Sequence, residues 1–197
     1  MAVIVLLGGG HASGKHTAER MIAQEIKSRN LASVTTIDMD DYKLPGQAYT
    51  PEVYDFKSII ERLDSMKGHQ VVIVVGLYAL FDRTMREKSH IRVFIDADLD
   101  TRLIRWIRRD VEKASLELII DQYLGGARQE MNDFIYPTKA YADAVMPKGP
   151  ETSSVALVVD GIEPLLQHAV PVARFGRMLR PAANKFDEEK GQYSELN

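Results

Sequence analysis

The sequence of 197 residues contains no cysteine. Disulfide bonds and thiolate metal sites are therefore excluded, and an intracellular compartment is the simpler expectation. The sequence also lacks an apolar run of about 18 residues, the length that a transmembrane helix needs, and its first residues lack a basic region followed by a cleavage site. We therefore expect a cytoplasmic protein, with the nucleus as an alternative, that has no membrane partner.

The sequence also lacks a strong excess of charge of either sign. Its 25 lysines and arginines are nearly balanced by 28 aspartates and glutamates, which leaves a net charge of −3. A nucleic-acid-binding protein usually carries a basic surface that neutralises phosphates, so no nucleic-acid partner is expected. The hydrophobic content of 45% is sufficient for one sizeable core. We expect a single domain over residues 1–180 and a polar, mobile tail over residues 181–197.

Apolar runs typical of strands alternate with segments of helical periodicity. This alternation predicts an α/β fold: a doubly wound parallel sheet of about five strands, with helices on both faces and a short helical lid. The predicted strands are residues 3–7, 34–37, 71–75, 91–95 and 155–159. The predicted helices are residues 17–29, 56–66, 101–113, 116–135 and 161–169, and the pair Gly125-Gly126 is expected to kink or split the fourth of them.

The first predicted strand is followed directly by a glycine-rich segment, Gly9-Gly10-His11-Ala12-Ser13-Gly14-Lys15-His16-Thr17. Gly9, Gly14 and Lys15 match the phosphate-loop pattern G-x-x-x-x-G-K-[ST]. In that pattern glycines let backbone N–H groups turn toward phosphate oxygens, and the lysine reaches the β- and γ-phosphates. The sequence therefore predicts that these nine residues bind ATP and that the doubly wound sheet is of the phosphate-loop NTPase type. The alternative is a glycine-rich turn that binds nothing.

The position after the loop lysine departs from the pattern. It holds His16, where a Ser or Thr hydroxyl would normally bind Mg²⁺, and imidazole is a poor ligand for a hard cation. Thr17 is a possible ligand, although its hydroxyl points elsewhere on the helix turn. The third predicted strand ends in Val75-Gly76 and supplies no acidic metal partner. We expect a weakened Mg²⁺ site.

Two further groups of charged residues are candidates for catalysis. Asp40 follows the second predicted strand, where a carboxylate could accept a proton from an attacking hydroxyl; capping of a turn is the alternative. Arg102, Arg105 and Arg109 share one face of a predicted helix and could close over phosphates as a lid. The alternative for them is a solvated basic face that pairs with acids such as Asp110.

Over residues 3–149 the sequence resembles the uridine/cytidine kinase family. The loop resembles that family's G-G-T-A-S-G-K. The second half of the chain is more specific, because several family motifs follow one another with the family's order and spacing: Phe94-Ile95-Asp96-Ala97-Asp98, Thr101-Arg102-Leu103, Arg105, Arg109-Asp110, Gln122-Tyr123, Pro137-Thr138-Lys139-Ala140-Tyr141-Ala142-Asp143 and Pro147-Lys148-Gly149.

The resemblance implies transfer of the ATP γ-phosphate to the 5′-hydroxyl of uridine or cytidine, the reaction of pyrimidine salvage. It also raises the expectation of a homo-oligomer, because relatives in that family often form oligomers. It implies that Asp40 is the catalytic base, that Arg109 lies near the phosphates and that Gln122 lies on the ribose side. With the residue-based candidates, the expected catalytic set is Lys15, Asp40, Arg105 and Arg109. The expected substrate-binding set is Asp40, Tyr42, Tyr49, Asp55, Trp106 and Gln122.

The sequence departs from the family at several substrate positions. The family's F-D-H-P segment reads Ala48-Tyr49-Thr50-Pro51, so its ribose-binding aspartate is missing unless Asp55 replaces it. Trp106 stands where the family has an arginine that contacts ribose. The base-recognition hairpin is absent, because the chain passes from His69 almost directly into the third predicted strand.

Three functions follow from these observations. The first is an active nucleoside kinase. The second is a degenerate kinase that binds nucleotide, or acts as a scaffold, without turnover. The third is a kinase that acts on a different small hydroxylated acceptor.

Overall fold

The computed structural model describes residues 2–45 and 49–167. Within these ranges five strands form one sheet in the order β2-β3-β1-β4-β5, and every pairing is parallel. The strands are β1 (Ala2–Gly9), β2 (Ser33–Asp38), β3 (Gln70–Val75), β4 (Ile91–Ile95) and β5 (Ala144–Met146). The α/β fold with a parallel sheet is therefore confirmed.

Helices lie in the connections between consecutive strands, as the crossovers of a parallel sheet require. They are α1 (Lys15–Ser28), α2 (Phe56–Ser65), α3 (Arg83–Lys88), α4 (Leu99–Asp110), α5 (Leu116–Gln122), α6 (Arg128–Glu130) and α7 (Thr152–Gln167). Short 3₁₀ turns cover Met39–Tyr42, Pro51–Val53 and Tyr136–Tyr141. Two π turns, Tyr123–Ala127 and Met131–Ile135, lie on either side of α6. The pair Gly125-Gly126 lies inside the first π turn, so the expected interruption of that helix is confirmed.

The sheet is buried on both faces, because residues of each strand alternate between two apolar clusters. Val3, Val5 and Leu7 of β1 pack with α1 and α7, whereas Leu6 packs with α2 and α3 on the opposite face. A strand buried on both sides reads as a continuous apolar run, which is why β1, β3 and β4 are legible in the sequence.

The prediction of a strand at residues 155–159 is wrong. These residues lie in α7, where Val155, Val158, Val159 and Ile162 face the core at helical spacing and Leu157 is exposed. Periodicity cannot separate a short apolar run in a strand from one in a buried helix, and this run is too short to decide. The fifth strand is instead β5, which has only three residues and gave no strand pattern in the sequence.

Two predictions fall outside the described residues. The tail of residues 181–197 lies outside them entirely, and so does the end of the helix expected at residues 161–169, whose beginning belongs to α7. Among the helices of residues 2–45 and 49–167, none has both the length and the apolar character needed to cross a bilayer.

Candidate active site

The glycine-rich segment forms the turn between β1 and α1. Gly9 has φ +145°, and a Cβ atom there would collide with the carbonyl oxygen of Ile95. Gly14 has φ +103°, a conformation that other residues rarely adopt, and directly precedes α1. The backbone path of the turn therefore requires glycine at the two positions that the motif specifies.

Lys15 is buried in the first turn of α1, where its ammonium group donates a 2.8 Å hydrogen bond to the carbonyl oxygen of Gly10. Burial lowers the pKa of Lys15 from 10.5 to about 8, and the charge of Asp40 opposes this effect while that of Arg109 adds to it. A cation kept in a place of low solvation attracts an anion more strongly than an exposed one does. The position of Lys15 therefore favours the binding of an anionic ligand.

A cavity of about 380 Å³ opens in front of this turn; we call it the loop cavity. Of the nine predicted ATP-binding residues, the six that line it are His11, Ala12, Gly14, Lys15, His16 and Thr17. Gly9, Gly10 and Ser13 are not among its lining residues and shape the turn from behind. The carbonyl oxygen of Ser13 accepts a 3.3 Å hydrogen bond from Arg105. The rest of the lining is Asp40, Lys43, Gly76, Leu77, Arg105 and Arg109.

Asp40 lies in the 3₁₀ turn after β2, and the capping role there belongs to its neighbour. The side chain of Asp38 accepts a 3.0 Å hydrogen bond from the backbone N–H of Asp40. The carboxylate of Asp40 accepts a 3.1 Å hydrogen bond from the hydroxyl of Tyr54 and lies 2.9 Å from the ammonium group of Lys43. Burial would raise the pKa of Asp40, but Lys43 and Tyr54 outweigh burial and lower it. Asp40 is therefore ionised at neutral pH in a wall of the loop cavity.

Three side chains that could bind a metal ion lie close together: His16, Asp38 and Asp40. Nδ1 of His16 lies 3.6 Å from a carboxylate oxygen of Asp38, and one ligand atom from each of His16, Asp38 and Asp40 lies within 4.8 Å of the other two. The two carboxylates fit Mg²⁺ or Mn²⁺, and the imidazole is a better ligand for a transition-metal ion such as Mn²⁺ than for Mg²⁺. Gly76, at the end of β3, packs against Met39: a Cβ atom there would come within 2.6 Å of its side chain.

The arginines of α4 divide into two roles. Arg102 is buried and donates a hydrogen bond to the carbonyl oxygen of Ala97, and its guanidinium lies against Gly10. Arg105 and Arg109 line the loop cavity. Arg109 also forms two hydrogen bonds, of 2.9 and 2.7 Å, to the carboxylate of Asp110. Arg109 therefore shows both expected features: it pairs with Asp110, as a residue of a solvated basic face would, and it lines the loop cavity, as a lid residue would.

A second cavity of about 450 Å³ adjoins the first; we call it the side cavity. The two cavities share the four residues His11, Lys43, Leu77 and Arg109. Tyr49, Trp106 and Gln122, all expected to bind substrate, line the side cavity together with Leu44, Val53, Tyr54, Asp110 and Glu130.

Asp55 and Tyr42 are not among the lining residues of either cavity. The carboxylate of Asp55 caps α2, where it accepts hydrogen bonds of 3.0 Å from the backbone N–H of Ser58 and 2.6 Å from its hydroxyl. Tyr42 packs against the apolar cluster below α2, and its carbonyl oxygen accepts a hydrogen bond from the N–H of Asp55. The structure thus places Asp55 in a helix cap and not beside Gln122 and Trp106.

The sequence analysis missed Glu130, the buried carboxylate of the side cavity. Only 3% of Glu130 is exposed, and its two oxygens lie 2.6 Å from Nε2 of His11 and 2.6 Å from the hydroxyl of Tyr78. Burial and this hydrogen bond raise the pKa of Tyr78, so it remains a donor. The ring of His11 in turn stacks on Trp106 at 4.8 Å. A glutamate inside a helical segment carries no sequence signal of this kind.

A family model described as Phosphoribulokinase / Uridine kinase family matches residues 39–155, more than half of the chain. The chain belongs to this family. Membership of this kinase family implies nucleotide binding. The *Saccharomyces cerevisiae* protein DAS2 is 28% identical over 223 residues, covering 99% of this chain and 96% of its own. The uridine kinase of *Chloroflexus aggregans* is 28% identical over 201 residues, covering 84% and 96%.

Solved structures agree with the fold. The shikimate kinase of *Bacteroides thetaiotaomicron* superimposes with a TM-score of 0.54 at 17% identity, covering 84% of this chain and 99% of its own. The shikimate kinase of *Acinetobacter baumannii* gives a TM-score of 0.50 at 16% identity, covering 85% and 94%. At such identities the likeness concerns the fold alone, that of phosphate-loop kinases. Only residues 66–69 lie between the end of α2 and the start of β3. A segment of four residues is too short for the base-recognition hairpin of the uridine/cytidine kinase family, as the sequence analysis predicted.

Proposed function

We propose that this protein transfers the γ-phosphate of ATP to a hydroxyl group of a small acceptor, with uridine and cytidine as the first acceptors to test. The observation that carries the proposal is the position of Asp40. Its ionised carboxylate lies in the wall of the loop cavity, and its hydrogen-bond partner Tyr54 lines the adjoining side cavity. A base at this junction is within reach of an acceptor on one side and a phosphate on the other.

The chemistry divides among these residues. The loop amides and Lys15 bind the β- and γ-phosphates, and Arg105 and Arg109 neutralise the charge of the transferring group. Asp40 accepts the proton of the acceptor hydroxyl while the oxygen of that hydroxyl forms a bond to the γ-phosphorus. The bond from that phosphorus to the β,γ-bridging oxygen breaks, and ADP leaves. Mg²⁺ bound by Asp38 and Asp40 would supply further neutralisation of phosphate charge.

A second candidate is nucleotide binding without turnover. Two observations favour it: His16 replaces the hydroxyl ligand of the metal, and Gly76 supplies no carboxylate at the end of β3. The loss of one charge-stabilising group typically costs about 10²- to 10³-fold in rate, so two such losses would leave little activity.

The test separates binding from transfer. ATP binding is measured by calorimetry, and ADP release with product analysis is measured for a panel of nucleosides and sugars with Mg²⁺ or Mn²⁺. We expect Asp40→Asn to lower turnover about 10²- to 10⁴-fold and to retain affinity for ATP measured without added metal, because the loop amides and Lys15 that bind the phosphates are unchanged. The exposed neighbour Asp41 provides the matched control, Asp41→Asn.

The outcomes are distinct. ATP binding with no phosphorylated product from any acceptor would favour the second candidate. An Asp40→Asn variant that turns over normally would exclude Asp40 as the base. Failure of the wild-type protein to bind ATP would refute both candidates.

Further proposals rest on the sequence alone. A cytoplasmic location, or a nuclear one, agrees with the absence of cysteine, and a role in pyrimidine salvage follows if uridine is the acceptor. ATP and the acceptor are the proposed partners, together with a second copy of the chain in a homo-oligomer.

A further inference from the structure

Glu130 lines the side cavity but has no part in the transfer steps above. Burial of a carboxylate is costly unless hydrogen-bond donors satisfy it. Each oxygen of Glu130 has one donor-type partner, His11 or Tyr78, whereas a carboxylate can accept about four hydrogen bonds in all. The carboxylate therefore retains acceptor capacity at a cavity wall.

The two basic side chains of the side cavity, Lys43 and Arg109, each have a carboxylate partner other than Glu130. Lys43 lies 2.9 Å from Asp40, and Arg109 lies 2.7 Å from Asp110. Among the described lining residues, neither Lys43 nor Arg109 pairs with Glu130, whose side-chain partners are His11 and Tyr78. An anionic acceptor would meet a buried carboxylate without a spare cation, so the cavity favours a neutral ligand that donates hydrogen bonds.

The remaining walls are suited to a ring with a flat or apolar face. Tyr49, Tyr54 and Trp106 contribute aromatic side chains, and Gln122 contributes an amide. The ring of Tyr49 lies directly over Gly126 in the first π turn, where a Cβ atom would collide with it. The π turns on either side of α6 are an independent sign, since such turns occur frequently at functional sites.

We propose that Glu130 binds the neighbouring hydroxyl groups of a neutral, ring-shaped polyol, either the ribose of a nucleoside or a free sugar, and so determines the acceptor class. This inference rests on the proposed function, because it names the acceptor of that same site. His11 is its positioning residue: its ring lines both cavities and holds the carboxylate of Glu130 on one side and the face of Trp106 on the other.

The experiment measures acceptor binding without turnover, by calorimetry in the presence of a non-hydrolysable ATP analogue. The ligands are uridine, 2′-deoxyuridine, 3′-deoxyuridine and free ribose. A hydrogen bond to a charged group corresponds to an affinity difference of about 10- to 100-fold, so wild-type protein should bind uridine that much more tightly than at least one deoxy analogue.

The variant Glu130→Gln keeps the shape of the side chain and removes its charge. We expect it to lose about 10- to 100-fold in affinity for uridine and almost none for the analogue that lacks the hydroxyl which Glu130 accepts. The control is Glu117→Gln, at an exposed glutamate of α5 that is not among the described lining residues of either cavity. Tighter binding of free ribose than of uridine would identify a sugar as the acceptor.

Two results would overturn the inference. The first is an equal loss of affinity for uridine and both deoxy analogues, which a purely structural role of Glu130 would produce. The second is a wild-type protein that does not discriminate among the three ligands, and this arm needs no variant to fold. Either result could accompany normal phosphorylation that depends on Asp40, so the failure of this inference is separate from failure of the proposed function.

Discussion

We expect phosphate binding to depend most on Lys15. Its ammonium group is desolvated and held near Gly10, so its favourable interactions are completed only when an anion arrives. We expect Lys15→Ala to weaken ATP binding at least 100-fold, measured by calorimetry at pH 7. Lys27, exposed on the same helix, provides the control Lys27→Ala. Unchanged ATP affinity in Lys15→Ala would contradict the assignment of the loop.

We expect His16 to set the metal preference of the site. Its imidazole lies beside Asp38, where a hydroxyl would supply an oxygen ligand. We expect the wild-type protein to bind Mn²⁺ more tightly than Mg²⁺, and His16→Ser to reduce that preference about tenfold, because a nitrogen ligand is exchanged for oxygen. Metal titration followed by Mn²⁺ paramagnetic resonance, with Mg²⁺ in competition, measures this directly. An unchanged preference would show that His16 does not bind the metal.

Residue roles were only partly readable from the sequence. Gly9, Gly14 and Lys15 act through backbone conformation and local spacing, so the motif was sufficient to find them. Glu130 acts through its contact with His11, which is 119 positions away along the chain, and no local pattern encodes such a contact.

At the scale of elements, α4 places its arginines on two sides. Arg109 lines both cavities, whereas Arg108 is exposed on another part of the helix surface. We expect Arg109→Ala to lower phosphoryl transfer about 10²-fold or more, because a charge that stabilises the transferring group is lost. Arg108→Ala is the matched control, with an expected change below about twofold. Equal effects in a steady-state assay would indicate a general electrostatic role of the helix and not a lid.

The helix α7 offers a test of the misassigned fifth strand. Leu165 is 3% exposed against the core, whereas Leu157 is 68% exposed. We expect Leu165→Ala to lower the free energy of unfolding by about 2–5 kcal/mol and Leu157→Ala to change it by less than about 0.5 kcal/mol. Urea unfolding measures both values. A large decrease in the free energy of unfolding of Leu157→Ala would contradict the helix and would favour the predicted strand at residues 155–159.

The strands differed in whether the sequence alone could predict them. Four strands were predicted because each has an apolar run bounded by turns. The three residues of β5 are too few for a pattern, and they form a strand because the edge of β4 supplies hydrogen-bond partners at Val93, Phe94 and Ile95. Pairing of this kind is decided by tertiary structure and not by local propensity.

At the scale of the whole molecule, the buried charge of Lys15 links stability to pH. Because its pKa is about 8 in the folded protein and 10.5 in the unfolded chain, the unfolded chain binds the proton more tightly. The contribution of Lys15 therefore destabilises the fold fully below pH 8, and this penalty declines as the pH rises toward 10.5. A difference of this size corresponds to at most about 3 kcal/mol.

We expect Lys15→Met to be more stable than the wild-type protein at pH 7 by about 1–3 kcal/mol, with a difference that shrinks above pH 8. Unfolding in urea at several pH values measures this in the absence of ATP. Saturating ATP should stabilise only the wild-type protein, by about 2.7 kcal/mol at a hundredfold excess over its dissociation constant. A stability difference that does not vary with pH would show that Lys15 titrates normally.

Local spacing, alternating apolar runs and motifs close together in the chain were enough to predict the loop, the parallel α/β fold and the family. The tertiary structure decided which carboxylates face the two cavities. Asp55, a nearby candidate, is used as a helix cap, whereas Glu130, a distant residue, is buried between His11 and Tyr78. A carboxylate takes its role from the donors that surround it, and the donors to Glu130 of α6, which are His11 after β1 and Tyr78 after β3, reach it only through the packing of these distant segments.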